Sequence, residues 1–157
     1  MRPGKKATTM TTRTPMTSAR TPVQQAALLV GAVFLLVGVL GFIPGITTDY
    51  DTMKFASHDS GAELFGIFQI SVLHNIVHLL FGVAGLVMAR TASGARTYLL
   101  TGGAIYLVLW LYGLVVGHTS DANFIPLNNA DDWLHFVLGI GMIALGALLT
   151  RRTARRI

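Results

Sequence analysis

The stretch VQQAALLVGAVFLLVGVLGFI, residues 23–43, decides the class of this chain. It runs 21 residues without a charge and ends at Pro44-Gly45. An α-helix needs about 20 apolar residues to cross a hydrocarbon core roughly 30 Å thick. A secretory signal peptide would carry an apolar core of about 7–15 residues closed by a small-residue cleavage site. Neither feature is present, so the segment reads as a membrane anchor. Three more apolar runs follow, over residues 64–88, 98–116 and 133–149. Soluble helices are seldom this long and apolar on all sides, and a bilayer admits only structures that satisfy their own backbone groups. The expected fold is all-α: a four-transmembrane-helix bundle over residues 23–150.

Composition agrees. Of the 157 residues 52% are hydrophobic and only 12% charged, where soluble domains carry about 25% charged residues. The net charge of +5 would suit a nucleic-acid binder if it lay on one face. Its placement gives another meaning. Of the 12 Lys and Arg, 11 fall in residues 1–22, in the short link with Arg90 and Arg96, or in residues 151–157; Lys54 is the exception. With four crossings those three segments share one side, and the positive-inside rule makes that side the cytoplasm. All seven acidic residues (Asp49, Asp51, Asp59, Glu63, Asp121, Asp131 and Asp132) fall in the other two loops or at their helix junctions. The expected partner is therefore the lipid bilayer, with no nucleic acid. A homo-oligomer or a membrane protein partner is a further expectation. The tail at 1–22, with seven threonines and three prolines, is too polar to fold on its own and is expected to be disordered. Residues 151–157 form a second basic cytoplasmic tail. Cysteine is absent, which excludes disulfides and thiolate chemistry.

Small or polar residues recur on one seam of each run: Gly31, Gly38 and Gly45; Gly82 and Gly85; Gly102, Tyr106, Gly113 and Gly117; Gly139 and Gly146. Such seams let helices approach closely where no hydrophobic force drives association. The second and fourth runs share a pattern. Asn75 is followed by His78 and Gly82, and Asp132 by His135 and Gly139, which points to two tandem hairpin repeats.

Polar residues inside apolar helices are the ones with chemical content. His74 lies 16 residues before Arg90, and His135 lies 16 before Arg151. At about 1.5 Å per residue both sit roughly 24 Å from the inner anchors. Ser71, His74, Asn75, His78, Asp132 and His135 are thus expected to cluster in the outer half of the bundle, with His118 just above. Three roles suit them. The leading one is non-enzymatic, with interhelical hydrogen bonds that fix packing and partner contacts. A second is a membrane redox module that binds haem b or a quinone through His74 and His135. The third is a small ion or proton pathway, since histidine titrates near neutral pH. The cofactor itself is not specified by the sequence, and no metal site is assigned. His74-Asn-Ile-Val-His78 has the spacing of a zinc protease motif, but Asn75 stands where the glutamate base belongs. Gly139-Ile-Gly141-Met-Ile-Ala144 matches a dinucleotide fingerprint only inside an apolar helix with no strand before it.

The segments Gly41-Phe-Ile-Pro-Gly45, Phe65 through His78, Leu109-Trp-Leu-Tyr-Gly113, Ala122-Asn-Phe124 and Asp132-Trp-Leu-His135 resemble the bacterial family called domain of unknown function 4383. The resemblance covers roughly residues 23–150. It implies a small four-helix integral membrane protein, mostly from high-GC Gram-positive bacteria, and it implies no activity; with the charge placement above, the expected location is the bacterial plasma membrane.

Overall fold

The computed structural model describes residues 19–154; most of the two basic tails, residues 1–18 and 155–157, lies outside them. The described chain is mostly helical, with four long helices: α1 (Pro22–Leu40), α2 (Val72–Met88), α3 (Ala92–Val115) and α4 (Asn129–Ala154). By length and hydropathy α1, α3 and the segment Asn129–Leu149 of α4 are long and apolar enough to cross a membrane, while α2 is a shorter apolar helix of 17 residues. Between α1 and α2 the chain forms a three-stranded antiparallel sheet of very short strands, β1 (Thr47–Thr48), β2 (Glu63–Leu64) and β3 (Phe68–Gln69). Thr47 pairs with Leu64, and Leu64 with Phe68.

This sheet corrects the helix expected over residues 64–88. Phe65 and Gly66 both have positive φ, 57° and 66°, and the Ile67 amide donates to the Leu64 carbonyl across them. That is the geometry of a tight hairpin turn, which no right-handed helix can contain. α2 starts only after Ser71, whose hydroxyl accepts from the His74 amide at 3.1 Å. Removing this cap, Ser71→Ala, is expected to cost about 1 kcal/mol, read as a lower unfolding temperature. The fourth helix begins earlier than the expected residue 133. Asn128 Oδ1 accepts from the Asp131 amide, and Asp131 Oδ2 accepts from the Asn128 amide, a reciprocal capping box. Likewise α3 begins at Ala92 rather than 98, because Thr91 Oγ1 accepts from the Gly94 amide.

The helices form two antiparallel pairs. α1 packs along α2 and α3 along α4, while contact between the pairs is much thinner. Glycines set the approach within each pair. A Cβ on Gly31 would stand 3.0 Å from the Gly82 carbonyl oxygen, and one on Gly139 would stand 3.0 Å from the Gly103 carbonyl oxygen. Gly117 differs from its expected packing role: it lies past the end of α3, with nothing within 4 Å of its Cβ position. Gly45 is equally free and belongs to a loop, where its φ of 90° suits glycine. Between the pairs lies a core of Phe34, Tyr98, Leu99, Tyr106 and Met142.

At the end where α1 starts, Gln24 Nε2 donates to the carbonyls of Ala89 and Arg90, tying α1 to the end of α2. At the opposite end Asp131 Oδ2 also accepts from the Gln69 amide at 3.0 Å, and Asn128 Nδ2 donates to the Ile67 carbonyl. The small sheet is thereby pinned over the start of α4.

Candidate functional site

The six polar residues singled out from the sequence lie at the same end of the bundle, in neighbouring groups. His74, His78 and His135 form the first. His74 and His78, one helical turn apart on α2, face each other with Nε2 atoms 2.9 Å apart and rings stacked at 4.6 Å. One nitrogen of this contact must carry a proton and the other a lone pair. In the neutral pair the two remaining Nδ1 atoms therefore differ, one being an acceptor and the other an N–H donor. Both are buried without a hydrogen-bond partner, as is Nδ1 of His135.

Asn75 belongs elsewhere. It is one residue, and so about 100° of helix rotation, from His74. Its side chain lies against Gly41 at the end of α1, where a Cβ would collide with its amide. Asp132 forms the third group. Its carboxylate fills the space left by Gly113, and its Oδ2 lies 3.0 Å from Nε2 of His118. Its other oxygen is buried and unpartnered. Ser71 is spent on the α2 cap described above, yet also borders the histidines.

Two cavities converge on the first group. One, of about 80 Å³, is lined by all three histidines together with Tyr106, Asp131 and apolar side chains. The other, of about 190 Å³, is lined by the same histidines, Ser71 and Tyr106, and by Val77, Ile105 and Ile125. Val77 of α2 and Ile105 of α3 are exposed on the outside of the bundle, so this cavity lies along the thin contact between the two helix pairs. Among the described residues no group of three or more His, Cys, Asp or Glu is placed to hold a metal ion.

The rings around these cavities also connect the bundle. Phe34 of α1 meets His78 of α2 edge-on at 5.2 Å and stacks on Tyr106 of α3 at 5.4 Å; Tyr106 in turn lies 5.2 Å from His135 of α4. One ring from each helix thus takes part. Reading the sequence missed two members of this neighbourhood. Phe34 falls in a uniformly apolar run and carries no signal of its own. Asp131 is detectable in principle, since Asn128 and Asp131 have capping-box spacing.

Fold and site together define a mostly helical, four-helix protein with three membrane-span-like helices and a buried polar site at one end. The chain belongs to the family described as Domain of unknown function (DUF4383), whose model matches residues 24–148. No curated protein and no solved structure matches it.

Proposed function

We propose that the protein is an integral membrane protein whose three-histidine site binds a small lipid-soluble ligand with hydrogen-bonding oxygens, a quinone being the chemical type. All four helices cross the membrane in this reading, with both termini on the cytoplasmic side of a bacterial plasma membrane. Large apolar side chains exposed on every helix, among them Leu29, Leu80, Val108 and Val137, support it. A soluble monomer rarely exposes apolar surface so extensively. The 17 residues of α2 span about 25 Å, the short end of the workable range. The two helix pairs, with His78-to-Gly82 and His135-to-Gly139 as matching segments, act as tandem repeats.

The observation that carries the ligand reading is the convergence of three histidine rings on a largely apolar cavity. Buried polar atoms are nearly always satisfied, and the three Nδ1 atoms left without a partner here call for an explanation. Hydrogen bonds from helix to helix, which a packing role would require, are not what the three side chains make. The volume of about 190 Å³ is below the roughly 300–1,000 Å³ that encloses a whole drug-sized molecule. It suits one polar ring whose tail stays in lipid between α2 and α3. Haem suits it less, because His74 Nε2 is turned onto His78 and not toward His135. An ion or proton path through the bundle is also less favoured, since Phe34, Phe81, Leu99 and Met142 fill the interior beyond the histidines.

Calorimetric titration of the detergent-purified protein with a short-chain quinone tests this directly. Saturable binding weakened tenfold or more by His78→Leu or His135→Leu is the expected result. Equal binding by wild type and both variants, or none by wild type, removes the reading. A second reading, assembly of the bundle by packing alone, is favoured by the ring contacts from Phe34 to His135. It expects His78→Phe to keep every measurable property of the protein, whereas the ligand reading expects that variant to fold and lose binding.

A further inference from the structure

At the end of the bundle opposite the histidines, a groove of about 440 Å³ runs between the start of α1 and the end of α2, lined by Arg20, Gln24, Leu28, Leu86, Ala89 and Arg90. We propose that this groove is a binding site for an anionic phospholipid, its phosphate held between Arg20 and Arg90 and an acyl chain laid over Leu28 and Leu86. The inference rests on the membrane reading above and is independent of the histidine site.

Three observations support it. Both arginines are exposed, and among the described residues neither is paired with a carboxylate. No partner of that kind is within reach in the sequence either: every Asp and Glu lies between residues 49 and 63 or between 121 and 132, the segments at the far end of the bundle. The groove is also built rather than incidental. Gln24 holds its two walls together through its two hydrogen bonds to the end of α2. Basic pockets between helices at the cytoplasmic membrane surface are where anionic headgroups bind. Leucines directly below the arginines distinguish a lipid from a free anion.

The test uses the full chain in a mild neutral detergent, with the unfolding temperature and native mass spectra read on addition of phosphatidylglycerol, phosphatidylcholine or inorganic phosphate. Phosphatidylglycerol should bind and stabilise preferentially, and each arginine neutralised should weaken that preference roughly fivefold. The double variant Arg20→Gln/Arg90→Gln is expected to lose it, and Arg20→Lys/Arg90→Lys to retain most of it. Lys54→Gln, at the acidic end, should change nothing. An unchanged preference in the glutamine variant overturns the site, as does an absence of preference in the wild type. Stabilisation by inorganic phosphate equal to that by the lipid overturns it as well. Alkaline carbonate washing of membranes separates the two levels. Release of the chain overturns the membrane reading, whereas a retained chain without lipid preference overturns the groove alone.

Discussion

Gly82→Leu is expected to destabilise the protein by about 3 kcal/mol or more, while the same change at Gly141 leaves stability unchanged or slightly raised. The contrast follows from what a Cβ meets at each position. At Gly82 it would stand 2.7 Å from the Leu35 amide nitrogen and 2.8 Å from the Gly31 carbonyl oxygen. These are backbone atoms and cannot turn aside. The helices must separate along the whole seam, which also carries Gly31 against Gly85 and Gly38 against the Asn75 carbonyl. Small dispersion terms, each about 0.1–0.2 kcal/mol, are then lost together. At Gly141 nothing lies within 4 Å, and replacing a helical glycine removes a cost of up to about 1 kcal/mol. Thermal unfolding in detergent compares the two variants. Equal stability of both would show that α1 and α2 are not in backbone contact.

Asp131→Ala should be the other severe change, at about 2–5 kcal/mol. Asp131 is almost fully buried, and its Oδ2 accepts from two amides, Asn128 at 3.1 Å and Gln69 at 3.0 Å. Alanine leaves both partly buried donors without this acceptor, each costing about 1–3 kcal/mol. The two amides belong to different structures, the cap of α4 and strand β3, so the damage should spread to the small sheet. Hydrogen exchange offers the sharper readout: protection at Gln69 and at the first turn of α4 should fall together. If Gln69 keeps its protection while α4 frays, Asp131 acts as a helix cap only. Asp131→Asn, which retains an acceptor oxygen, should recover about half of the loss.

The four helices were legible because uncharged apolar runs of about 20 residues seldom form anything but long apolar helices. Their ends were not, because hydropathy does not see backbone conformation. Leu64-Phe65-Gly66-Ile67-Phe68 is as apolar as the helix after it, yet Phe65 and Gly66 turn the chain back on itself. The local signal lay in polar residues rather than apolar ones: Ser71, Thr91 and the Asn128–Asp131 pair each mark a helix start within one residue. The candidate site was legible in membership more than in arrangement. Counting from the arginines placed the polar residues at one end of the bundle, but could not tell that Asn75 turns to α1 and Asp132 to Gly113. Those directions depend on where a neighbouring glycine leaves room, which is a property of two helices at once.

The link between the two helix pairs has a mechanical meaning. Only Ala89, Arg90 and Thr91 separate the end of α2 from the start of α3, and the histidines lie at the other end of α2. The pairs are tied again at that far end, where Asp131 holds the Gln69 amide and Asn128 the Ile67 carbonyl. The cavity thus sits between two ties, beside the exposed Val77 and Ile105.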